Sequence, residues 1–270
     1  MVDGPLPADG DALFVPDGDR FVPTEWARGP WSPDALHGGP VAALVAREAE
    51  RRAGDDGLQP VRLTLELLRP VGTGPLTVTA REVRPGRTVR IHDVVVAAGG
   101  TEVAWGRVLR LRVDPSGEAP RPTVPEDPPL PPPAAGTAVP FPGEDYPAFH
   151  NAGMEVRFVA GAFGQPGPAA AWFRLRPSVV PGEPPSPFQR TTAAGDFGNG
   201  IGAELAFGSA VFINPDLTVA LHRLPVGEWV GLDARTRFGP PGIGMAESAL
   251  LDVEGRIGRA VQTLVVDPAP

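Results

Sequence analysis

The segment LTLELLRPV at 63–71 returns as LTVALHRLPV at 217–226, so that Leu217 stands 154 positions after Leu63. Within a few residues the same offset brings GRVLRL near 106 onto GRAVQTL near 258. A repeat of this length constrains the fold strongly, because each copy must be a structural unit that buries its apolar face with or against the other. The chain therefore reads as a duplicated fold.

Each copy has one helix and a set of strands. The segment HGGPVAALVAREAERR has Pro40 in its first turn, an apolar stripe of Val41, Leu44 and Val45, and charges gathering toward Arg51 and Arg52. That is a helix, and Gly54 ends it. Short apolar runs at Leu13 to Val15 and Phe21 to Trp31 precede it as opening strands. After it, VRLTLELLRPV alternates with Leu63, Leu65 and Leu67 on one face, and PLTVTAREV, TVRIHDVVVAAGG and TEVAWGRVLRLRV follow between turn signals. The spacing predicts a four-strand antiparallel meander with one helix covering its apolar face. In the second copy, MEVRFVAG and AAAWFRLRP are strands, a helix follows, and four more strands end the chain.

Twelve of the 36 prolines lie between Pro115 and Pro147. This stretch cannot pair into a sheet and reads as a semi-rigid surface linker. The organisation expected is a first unit at 1–113, a linker at 114–147 and a second unit at 148–270.

The second helix carries the most informative side chain. Ser186 stands at a cap position and Pro187 at the first helical position, where a missing N–H costs nothing. The glycines of QRTTAAGDFGNGIG then weaken the helix, which puts Asp196 in its last turn or just beyond. The helix dipole is negative there, so a carboxylate is either solvated or functional.

Several chemistries are absent. Without cysteine there is no disulfide, thiolate metal site or Cys nucleophile, and without lysine there is no Schiff base or phosphate loop ending in Gly-Lys. A net charge of −8 argues against nucleic acid as a partner. His92 and His222 lie in strands with no ligand at metal spacing, so neither a metal nor a cofactor is expected. The opening MVDGPLPADGDALF has no basic region or apolar core, and no window approaches about 18 apolar residues, so the expectation is a soluble cytoplasmic protein without membrane insertion.

With its HisGlyGlyPro helix opening, strand meander and duplication, the chain resembles the TesB-like acyl-CoA thioesterase family. The resemblance spans nearly all of it apart from the linker, and implies an α+β double hotdog: two fused repeats, each a long central helix wrapped by a curved antiparallel sheet. It also implies catalytic roles. GDFGN matches the family's Asp motif and puts that role on Asp196, while AVQTLVV matches its Gln motif and puts the second role on Gln262. At the third position this chain departs, with Asn214 where a hydroxyl residue is usual, and Thr218, four residues on along the same strand face, is the hydroxyl that could serve instead.

The activity implied is hydrolysis of acyl-CoA to acid and CoA. With no cysteine and no GxSxG elbow, a water activated by Asp196 and held by Gln262 and Asn214 fits better than a covalent route. Oxyanion donors and substrate contacts are expected at His37, Gly38 and Gly39, where the first helix begins. Arg51, Arg52 and the arginines at 107–112 are candidates for CoA phosphates, with solvated faces the competing explanation. Two other functions stay open: a hotdog acyl-CoA hydratase or dehydratase, and a non-catalytic acyl-CoA-binding protein. Free sheet edges lead to the expectation of a homodimer or higher homo-oligomer.

Overall fold

The computed structural model describes residues 6–54, 57–114, 116, 129–141, 146–206 and 208–268. The first half contains β1 (Phe14–Asp17), β2 (Arg20–Pro23), α1 (Gly38–Ala53), β3 (Leu58–Leu67), β4 (Leu76–Arg84), β5 (Val89–Ala98) and β6 (Thr101–Arg112). The second contains β7 (Met154–Ala160), β8 (Ala169–Leu175), α2 (Pro187–Gly195), α3 (Gly198–Gly202), β9 (Ala210–Ile213), β10 (Asp216–Leu221), β11 (Trp229–Gly239), β12 (Ile243–Asp252) and β13 (Gly255–Pro268). Both helices start where their caps place them. The Ser186 side chain accepts from Gln189 N–H at the head of α2, and Gly54 closes α1.

Among the described residues the thirteen strands belong to one large curved antiparallel sheet. Its order is β1-β2-β4-β5-β6-β3-β10-β13-β12-β11-β8-β7, with β9 added alongside β13. The order is a palindrome of the two halves. At its centre the two copies of the repeated segment pair with each other: Thr64 lies opposite Thr218, Leu63 opposite Val219 and Leu65 opposite Leu217. Each residue thus faces the neighbourhood of its own repeat partner, as a local two-fold axis requires.

The expected four-strand meander is corrected here. Only β4, β5 and β6 run consecutively, while β3 lies on the far side of β6 and gives its other edge to β10. The chain at 68–75 crosses back to β4, a span of three strand spacings, or about 14 Å, within reach of an extended segment of that length. Joining the halves through β3 removes two sheet edges from solvent.

The Pro-rich segment is also more engaged than expected. Thr137, a non-proline within it, exchanges backbone bonds of 2.9 and 2.8 Å with Phe158 on β7, and the Pro131 carbonyl accepts from Trp172 Nε1 at 2.7 Å. One outer edge of the sheet is therefore partly covered. At the other end, Leu13 and Phe14 N–H donate to the Ser178 and Val179 carbonyls just after β8, so the two ends of the sheet nearly meet. Both edges offered for oligomer pairing have partners within the chain.

Inside this wrap, α1 packs on α2 and on β3 to β6, and α2 packs on β8, β10 and β11. Residues Gly39 through Arg47 of α1 are all buried, and the small side chains of Ala42, Ala43 and Ala46 let neighbours approach closely. A helix buried on nearly every side is a core element, not a surface one. The second helix is shorter, nine residues against sixteen, because the glycines after Thr192 break it before α3. Among the described residues no helix is long and apolar enough to cross a membrane.

Candidate active site

The two helices run antiparallel, so the start of α1 meets the end of α2. His37 is the N-cap of α1 and Asp196 the C-cap of α2. His37 Nδ1 stands 2.8 Å from Asp196 Oδ2. The other carboxylate oxygen, Oδ1, accepts from Asn214 Nδ2 at 2.9 Å and from Gln262 Nε2 at 3.0 Å. Two fixed amides therefore hold a carboxylate that is only 7% exposed.

Each partner is itself held. Gln262 Nε2 also donates to the Asp196 carbonyl at 3.1 Å, and its Oε1 accepts from Asn199 N–H at 3.0 Å. Asn214 donates as well to the Asp216 carbonyl at 3.0 Å. With both N–H bonds of Asn214 spent in this way, its carbonyl oxygen is left to accept. The His37 ring lies between Phe197, 4.9 Å away and stacked, and Phe149, 5.1 Å away. Gly38 leaves room for the carboxylate: a Cβ there would stand 2.7 Å from Oδ2.

His37 Nδ1 has two neighbours that make opposite demands. Gly39 N–H points at it from 3.1 Å, which asks for a bare nitrogen, while Oδ2 at 2.8 Å asks for one proton between the two atoms. His37 and Asp196 are accordingly in direct contact, with Nδ1 also the acceptor of the Gly39 N–H.

This pair sits in the wall of a cavity of about 450 Å³. The wall is mostly apolar and aromatic, including Trp31, Leu36, Phe141, Phe163, Ile201 and Phe212. That is the size and character of a small-molecule site, with a few converging polar groups. Leu68 and Ile213, about half exposed, stand at its rim.

Of the residues singled out from sequence, Asp196, Gln262, Asn214, His37 and Gly38 come together. Gln262 faces the helices with Ala260 and Leu264 and is buried behind Asp196, outside the cavity wall, so it holds the carboxylate and not a water. Gly39 is a packing residue, not a substrate contact: a Cβ there would stand 2.6 Å from the Ala193 carbonyl and 2.7 Å from the Phe149 ring.

Thr218 is not part of the cluster. Strand β10 begins only at Asp216, after Asn214 and Pro215, so strand alternation does not carry from Asn214 to Thr218. Leu217 and Val219 are the residues that face α2, at Gly195, and Thr218 points to the opposite face. Replacing Thr218 with Val is expected to leave kcat/KM within about two-fold, since lost hydrogen bonds away from reacting atoms do not alter the transition state; a steady-state comparison checks this.

Of the arginines proposed for phosphates, Arg51, Arg107 and Arg110 are engaged elsewhere, Arg110 donating to the Leu58 carbonyl. Arg51 pairs with Glu183 at the far end of α1, and Arg107 bonds Asp93 in the sheet. Arg69 instead lies in the cavity wall. His150, buried beside His37 at a ring distance of 6.4 Å, also lines the cavity and was missed. Its local sequence, FHN ahead of a strand, carries no motif by which it could be found. Among the described residues no cluster of three or more His, Asp or Glu side chains could hold a metal ion.

The family profile described as acyl-CoA thioesterase N-terminal domain matches residues 27–111, and that described as acyl-CoA thioesterase C-terminal domain matches residues 125–266. Among solved structures, the chain is similar to a conserved protein of unknown function with hot dog fold from Alicyclobacillus acidocaldarius. The two share 18% identity and a TM-score of 0.74 over 97% of this chain and 98% of that one. It is also similar to an acyl-CoA thioesterase II from Mycobacterium marinum, at 16% identity and a TM-score of 0.64 over 93% and 94%. At these identities the likeness establishes a hotdog fold. None of the curated proteins compared with the chain matches it.

Proposed function

We propose, from the premise that this chain belongs to the acyl-CoA thioesterase family and is a thioester hydrolase, that the Asp196–His37 pair activates the water. The observation that carries this reading is the 2.8 Å contact between His37 Nδ1 and Asp196 Oδ2 in the wall of the apolar cavity. Oδ1 is saturated by two amides, which leaves the Oδ2–imidazole side of the pair to take a proton. The water oxygen attacks the thioester carbonyl as its proton passes to the pair. The C–S bond then breaks, and that proton goes to the CoA thiolate.

Gln262 and Asn214 act by fixing the carboxylate. Asn214 supplies the donor that a hydroxyl supplies in the family's pattern, and its free carbonyl oxygen can accept from the water. The Gly38 N–H, at the positive end of α1, is the oxyanion donor in this reading. The apolar walls take the acyl chain, and Arg69 is the cation best placed for the anionic end of CoA.

Two hotdog repeats, at 1–113 and 148–270 with 114–147 between them, account for the palindromic strand order. The exposed apolar row of Ile243, Val265 and Ile213 on three adjacent strands supports a homodimer through that face. Sedimentation at monomer mass across a wide concentration range would exclude it.

A hydratase would also use a His and an Asp in contact. Here the two come from separate helices, and the family is one of thioesterases. The deciding experiment is release of free CoA from short, medium and long saturated acyl-CoA by the purified protein. Turnover of at least one chain length is expected. Tight binding of acyl-CoA without turnover of any would replace hydrolysis with a binding role.

A further inference from the structure

The antiparallel helices create two junctions. At one, the start of α1 meets the end of α2 and forms the candidate active site. At the other, the end of α1 meets the start of α2, and the palindromic sheet makes this the first junction's counterpart. Ser186 caps α2 where His37 caps α1. Counting from the first helical residue, Arg47 stands nine positions after Gly38, as Asp196 stands nine after Pro187. The position that carries a carboxylate in one junction carries a guanidinium in the other.

The second junction is dense with bonds. Arg47 is 3% exposed and grips Glu183, in the approach to α2, through Nε at 2.7 Å and Nη2 at 2.6 Å. Arg51 adds a contact to the same carboxylate at 3.2 Å, and Glu48 pairs with Arg47. One turn on, the Glu50 carboxylate accepts from the Ser186 hydroxyl at 2.9 Å and from Gln189 Nε2 at 2.7 Å. Both donors belong to the first turn of α2. Burial pushes the Glu50 carboxyl upward, and the Gln189 and Ser186 bonds and nearby Arg110 offset only part of that. A carboxylate held at such a cost is there for the bonds it makes.

We infer that this counterpart junction is a clamp, and that Glu50 and Arg47 are positioning residues that set the place of Asp196 through α2. The helix spans only about 13 Å, short enough to move as a rod. Its far end carries glycines and sits directly on the sheet, with Val219 Cγ2 2.9 Å from where a Cβ on Gly195 would stand. The start of α2 therefore determines how far its C-cap reaches toward His37. A shift of about 1 Å at a reacting group can cost roughly 10²-fold in rate.

This inference rests on the catalytic reading of Asp196 given above, and the test separates the two. Glu50→Ala and Asp196→Asn are made singly and together, and kcat, KM and thermal stability are measured for each. Glu50→Ala is expected to lower kcat by about 10-fold or more with KM within about two-fold. In the Asp196→Asn background the same change should lower the residual kcat by less than about two-fold, since nothing is left to position. Its effect on thermal stability should be equal in both backgrounds. Glu50→Gln, which keeps an oxygen for one of the two donors, should recover part of kcat; it also replaces Glu50→Ala if that variant does not fold.

Equal fold-losses of kcat in both backgrounds, or an unchanged kcat in Glu50→Ala, would overturn the clamp alone. An Asp196→Asn enzyme with full kcat would overturn the catalytic reading, and the clamp with it.

Discussion

Replacing Asp196 with Asn is expected to lower kcat on acyl-CoA by about 10²- to 10⁴-fold, the range a positioned base contributes. Asn is nearly isosteric, so the cavity and α2 should be preserved. It cannot take up a proton, and its amide can meet only part of the pattern around it. Asn214 and Gln262 both donate toward Oδ1, and His37 Nδ1 faces Oδ2. Whichever way the new amide turns, its NH₂ group meets a donor or leaves the His37 contact altered. The loss should fall on kcat, because the pair acts on the water and not on the acyl chain. Steady-state kinetics with a free-thiol readout measure it, and a decrease smaller than about ten-fold would remove Asp196 from the role of base.

Arg223→Ala is expected to cost roughly 3–5 kcal/mol of folding stability at neutral pH, the penalty for stranding a buried charge. Asp252 ends β12 with its side chain wholly buried. Arg223 pairs with both of its oxygens, one at 2.7 Å, and the backbone N–H groups of Val226 and Glu254 donate to it at 2.7 and 2.9 Å. Burial by itself would raise the Asp252 pKa, but Arg223 and the two N–H groups outweigh it and leave the pKa lowered.

The sign of the pH effect follows. A carboxylate whose folded pKa lies below its unfolded value stabilises the fold above the unfolded value, near 3.9, and loses that contribution as pH falls through the folded one. The gap between wild type and Arg223→Ala in denaturant unfolding should therefore be widest near neutrality and narrow below about pH 4. A gap that does not change with pH would mean that Arg223 acts by packing and not by charge.

Much of the helical structure was legible because its signals are local. Ser186 followed by Pro187 starts α2, and the run of glycines ends it, so Asp196 could be placed at the helix end without knowing what lay opposite. The recurrence of one strand segment was legible from the repeat at 63–71 and 217–226. The same repeat turns out to be the seam, with Thr64 opposite Thr218. Strand order was less legible. Alternation shows that VRLTLELLRPV is a strand, but β3 pairs with β6 and β10, and nothing within a strand names the strand beside it.

The site divides in the same way. Asp196 and Gln262 were found by motif, yet the part played by Gln262 depends on its standing behind the carboxylate, outside the cavity wall. Thr218 was misplaced because periodicity was carried through Asn214 and Pro215, where there is no strand to carry it. What the sequence alone determined about this protein is where most of its helices and strands lie, that one of its strand segments recurs, and which carboxylate stands at a helix terminus. Caps, glycines and alternation act within a few residues, so they can be read in order. What only the tertiary structure decided is that His37 meets Asp196, that Glu50 meets Ser186 and that the chain at Pro131 and Thr137 lies along a sheet edge. The two helix contacts join residues more than 100 positions apart, and the relative placement of two buried helices is set by packing around both, which no single stretch of the chain contains.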